Sequence, residues 1–102
     1  MPQGGQPQQI PVNVNPDDTK GVYSNAAEIK HSKEEFCLDF FTIFPPAGAM
    51  VARVIISPGH VKRMISALRD NLDKYERKYG PVQEADPPMP GTIVGGAPPQ
   101  RK

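Results

Sequence analysis

Few residues of this chain have side chains that could do chemistry, and their spacing decides what that chemistry would be. His31 and His60 are separated by an expected strand pair, with no HxH spacing and no second cysteine, so no metal site is expected. His60 falls at the third position of a helix, where it assists the helix start or lies at the surface. Cys37 sits inside a strand pattern and reads as a small core residue; a nucleophilic thiol would need a neighbouring base and exposure. Being the single cysteine, it excludes an internal disulfide and fits a reducing compartment. Asp39 and Arg53 are more informative. Each interrupts an apolar row on one of two successive strands, and their charges are opposite. If those strands pair, the two become partners within one chain or across a dimer, and a structural ion pair is the preferred reading over a catalytic acid. Gly95-Gly96 follows no strand and opens no helix, so it is not a phosphate loop. No catalytic residue and no cofactor is expected.

A basic helix face offers a different chemistry. Lys62, Arg63 and Arg69 could follow a phosphate backbone. Yet Arg69–Asp73, Asp70–Lys74 and Asp73–Arg77 have the i, i+4 spacing of a solvated helix face, and the formal charge of the whole chain is only +1. Nucleic acid is therefore not the expected partner.

These residues are positioned by four elements. Ser57 to Gly80 carries helix signals at both ends: Ser57 as N-cap, Pro58 at the first helical position, Gly80 and Pro81 as the stop. Between them Val61, Met64, Ile65, Leu68, Leu72, Tyr75 and Tyr79 form one apolar stripe, predicting a helix over 58–79 that is roughly 33 Å long. Glu35 to Phe44 and Ala49 to Ile56 read as central strands by their aromatic and β-branched content, joined by a turn at 45–48 in which two prolines stop the ladder and Gly48 permits positive φ. Val22 to Lys30 alternates more weakly, with Asn25 breaking the row, and reads as a half-exposed strand. Ser32 and Glu35 have capping-box spacing, which would suit a single helical turn between the first two strands.

The expected fold is α+β: a three-stranded antiparallel β-meander followed by one long C-terminal helix, in a domain spanning 21–80. One sheet face should take the helix stripe, burying Leu68 mid-stripe. The other, with Phe41, Ile43, Val51 and Ile55 around Asp39 and Arg53, would then face water. An apolar patch of that kind marks a partner surface, so a homodimer or higher homo-oligomer is expected through those six residues.

The remaining sequence is mostly Pro, Gly, Gln and Asn. The 13 prolines and 9 glycines concentrate at the two ends. Residues 1–20 and 81–102 are therefore expected to be disordered, with Ile10 to Val14 as an alternative edge strand and Met89, Ile93 and Val94 as an alternative docking motif. The start of the chain has neither a basic nor an apolar leader region. No signal peptide or membrane span is expected, and the cytoplasm is the default.

A block of motifs carries a family resemblance: Tyr23-Ser24-Asn25, His31-Ser32 with Glu35-Phe36, Leu38-Asp39-Phe40, Arg53-Val54 with Ser57-Pro58, and Tyr75-Glu76 with Tyr79-Gly80. It resembles DUF3467, a family of small bacterial and archaeal proteins of unknown function. The resemblance covers about sixty residues, leaves both tails outside, and points to Asn25, Glu35, Asp39 and Arg53 as the polar residues of the motif. It implies no activity. The function expected from the whole sequence is that of a small non-enzymatic homo-oligomeric interaction or adaptor protein. The alternatives are a SecB-like client-binding chaperone and a nucleic-acid binder using Lys62, Arg63 and Arg69.

Overall fold

The computed structural model describes residues 8–88. Three strands, β1 (Ala26–His31), β2 (Phe36–Phe44) and β3 (Ala47–Ile56), pair antiparallel in the order β1-β2-β3, and one helix, α1 (Pro58–Tyr79), follows them. This is the meander-and-helix arrangement that the alternation and the marked helix ends predict. The cap forms as expected: the Ser57 hydroxyl accepts from the His60 N–H at 3.2 Å. At the far end Gly80 takes φ +99° and ψ 171°, backbone that suits only glycine, and its N–H donates to the Glu76 carbonyl at 2.8 Å.

Several local expectations are corrected. Phe44 pairs with Ala47, so the β2–β3 turn is Pro45-Pro46 alone, joined by a cis bond, and Gly48 already belongs to β3. Gly48 does not have positive φ. Its missing Cβ makes room instead: that atom would lie 2.8 Å from Ile43 Cδ1. Between Phe40 and Phe41 the partner steps from Ala52 to Met50, leaving Val51 unopposed as a β-bulge. Met50, not Val51, therefore faces Phe41. The β1–β2 connection is a bend and not a helical turn, with the Ser32 hydroxyl accepting from the Glu34 N–H. Ahead of the sheet, Pro16–Lys20 forms one 3-10 turn capped by Asn15 and buries nothing. Ile10 to Val14 joins no strand of its own chain, and Met89, Ile93 and Val94 lie outside the described residues.

The larger correction concerns the helix. It does not lie on the sheet. No residue of α1 is buried, and Leu68 and Tyr79 each keep 65% of their surface. Ser57 is the whole connection between β3 and α1, shorter than the two to six residues usual between a strand and a helix packed back on it. The helix therefore continues away from the sheet, and its half-buried residues are His60, Val61 and Met64 in the first turns and Glu76 near the end. Among the described residues the buried apolar side chains are Leu38 and Ile43.

Candidate functional site

The strand register assembles one charged cluster. Asp39 is central on β2, opposite Glu28 of β1 and Arg53 of β3. Alternation places Cys37, Asp39, Phe41 and Ile43 on one face, together with Lys30 and Glu28 from β1 and Arg53 and Ile55 from β3. Arg53 forks onto the Asp39 carboxylate, Nε donating to Oδ1 at 2.6 Å and Nη2 to Oδ2 at 2.9 Å. Lys30 Nζ donates to Oδ2 at 2.7 Å from the other side, and Cys37 Sγ lies 3.5 Å from Oδ1. Asp39 is 2% exposed, and its charge is tied to both neighbouring strands. The pairing with Arg53 is made within one chain.

The electrostatics follow from this geometry. The Arg53 hydrogen bonds, with those from Lys30 and Cys37, hold the Asp39 carboxyl well below the usual carboxylate range despite its burial. Burial, then the hydrogen bond to Asp39, pushes the Cys37 thiol up, while the Asp39 hydrogen bond raises Lys30. An ionised carboxylate saturated by donors has no proton to give, and a thiol pushed upward is a poor nucleophile. The cluster holds strands together. Beside it lies a shallow hollow lined by His31, Ser32, Glu35, Cys37, Arg53 and Ile55.

A second polar device closes the top of the sheet. Asn25 stands just before β1, where its amide donates to the Ile43 carbonyl at 2.9 Å and accepts from the Ile43 N–H at 2.8 Å. Its side chain thus does for Ile43 what another residue of β1 would do. The Ser24 hydroxyl adds a bond to the Phe41 carbonyl, and Tyr23 stacks on Phe44 at 6.3 Å.

The structure distributes the expected site residues unevenly. Asp39 and Arg53 meet. Asp39 and Ile43 are already buried by their own chain, Phe41 and Val51 are half-buried, and Ile55 is exposed. Lys30, at the end of the strand read as half-exposed, is the unforeseen partner; its alternation with Glu28, opposite Asp39, is the signal that carried it. The apolar residue of that strand, Ile29, takes the exposed side. Lys62, Arg63 and Arg69 are exposed on α1, with Arg63 Nη2 3.0 Å from His60 Nδ1. His31 stacks on Phe36 at 5.3 Å. Among the described residues no three His, Cys, Asp or Glu side chains gather as metal ligands, and no helix is long and apolar enough to cross a membrane.

Comparison with known proteins identifies a family. The family model for DUF3467, described as a protein of unknown function, matches residues 1–84. The match takes in the N-terminal arm and the four residues after Gly80, so the family pattern extends beyond the sheet and helix. No curated protein and no solved structure matches.

Proposed function

The chain belongs to the DUF3467 family, and from its geometry we propose that it is a small homo-oligomeric interaction protein and not an enzyme. One observation carries this reading. Among the described residues two aliphatic side chains are buried, while Ile29, Phe44, Val54, Met50 and Ile55 on the sheet and Ile65, Leu68, Leu72, Tyr75 and Tyr79 on α1 are exposed. A domain of this size has little core to spare, and association covers what one chain leaves open. The sheet's one charged cluster is committed to holding strands, which supports the non-enzymatic half of the reading.

Sedimentation velocity over a hundredfold range of concentration tests it. The expected result is a discrete dimer or higher species, with a melting temperature that rises with concentration because only the folded chain associates. A monomer at every concentration overturns the reading. An oligomer that still exposes extended apolar grooves would transfer it to the client-binding alternative.

A further inference from the structure

We propose that α1 is the dimerisation element, pairing antiparallel with α1 of a second copy of this chain. The inference rests on the homo-oligomeric reading above and adds the surface, the partner and the orientation.

The exposed stripe has a finer pattern than amphipathicity. Val61, Ile65, Leu68, Leu72, Tyr75 and Tyr79 follow one another at spacings of four, three, four, three and four. This is the unbroken 4-3 repeat of a two-helix seam, with Ile65, Leu72 and Tyr79 at a and Val61, Leu68 and Tyr75 at d. A helix that packs on a sheet needs only a broad apolar face, whereas a strict 4-3 seam suits a second helix. The seam is free to receive one, since Ile65, Leu68, Leu72, Tyr75 and Tyr79 are all exposed in the single chain.

The charges beside the seam choose the orientation. The e positions are Lys62, Arg69 and Glu76, and the g positions are Met64, Asn71 and Lys78. In a parallel pair, g faces e of the partner helix: Met64 meets Arg69 and Asn71 meets Glu76, with no ion pair formed. In an antiparallel pair, e faces e. Lys62 then meets Glu76 of the second copy, twice by symmetry, and the two Arg69 side chains meet at the centre. The same alignment sets Val61 against Tyr79, Ile65 against Tyr75 and Leu68 against Leu72, so every apolar seam position has an apolar partner. Glu76 Oε2 accepts from the Val82 N–H, which leaves Oε1 for the incoming Lys62. The antiparallel order also brings each Tyr79 to the level of the other copy's Val61, beside the sheet.

The full-length protein provides the test. Lys62 and Glu76 of one helix are fourteen positions apart, about 21 Å along the axis. A zero-length carbodiimide cannot join them within a chain. A Lys62–Glu76 cross-link in the dimer fraction, located by mass spectrometry, is the expected product. In sedimentation, Lys62→Glu should raise the dimer Kd on the order of tenfold by turning two weak attractions into repulsions. Lys62→Glu/Glu76→Lys should restore it, and Arg69→Gln should lower it by relieving the central repulsion. Circular dichroism checks that helicity is unchanged in each variant. A wild type that never dimerises overturns both this proposal and the reading on which it rests. A stable wild-type dimer without the cross-link, whose affinity ignores the charge exchange, overturns the helix pairing alone.

Discussion

The Asp39 carboxylate is the residue on which the sheet's polar energetics turn. With four donors converging on a 2% exposed side chain, loss of the charge leaves Arg53 and Lys30 turned toward a weaker acceptor. Asp39→Asn should cost about 1.5–3 kcal/mol at pH 7, the range for hydrogen bonds to a charged group. The pH dependence has a definite sign. The unfolded carboxyl takes up its proton near pH 4 and the folded one only well below that, so the stabilisation is complete above about pH 4 and is lost as the pH falls through the folded value. Urea melts at successive pH values should show the gap between wild type and Asp39→Asn narrowing below about pH 4. A gap that stays constant on acidification would mean that the charge is not what Arg53 and Lys30 recognise. Gly48 acts through space. Gly48→Ala should cost about 1–3 kcal/mol, because the new methyl group meets a side chain that is itself buried. Adding Ile43→Val removes the obstructing Cδ1, so thermal melts should find the double variant no less stable than Gly48→Ala alone.

Among the elements, the strands and helix were legible because their signals are local. The Ser57-Pro58 start and the Gly80 stop place α1 at Pro58–Tyr79, and the apolar content of β2 marks it without long-range information. Two features were not legible for the same reason. The bulge at Val51 exists only as a mismatch between strands. Where the helix stripe lies depends on the exit angle set by Ser57, not on the stripe's composition. Lys30 was obscured by a different cause: an exposed-looking cation on an edge strand gives no sign of a buried carboxylate on the next. Asn25 shows how a residue that breaks a periodic row can still serve the element. Asn25→Ala would leave the Ile43 N–H and C=O without their β1-side partners, at a cost of about 1–3 kcal/mol. Hydrogen exchange should show the Ile43 amide losing protection before the amides of Leu38 and Phe40; uniform protection would place the bond outside the determinants of β2.

At the scale of the molecule, a sheet and a projecting helix give the described residues a long outline, 55 Å in its largest extent. Leu68→Ala would be expected to destabilise a packed helix by about 2–5 kcal/mol. Since Leu68 is 65% exposed in the single chain, the loss should appear in association instead. Melts at low concentration should differ by less than about 0.5 kcal/mol, as for a surface substitution. The difference should then grow as concentration rises into the range where wild type associates. A full loss at the lowest concentration would place Leu68 inside the monomer's own core. The charged cluster carries a further consequence for how the strands find one another. Phenylalanine, leucine, isoleucine and valine are nearly interchangeable as cross-strand neighbours, so the apolar rows alone would tolerate several alignments of β2. A shift of one residue turns Asp39 to the opposite face; a shift of two sets an aliphatic side chain of β3 directly opposite it in place of Arg53. The carboxylate thus works as a discriminator: it tells the correct alignment from its near neighbours, where hydrophobicity by itself carries too little information to choose.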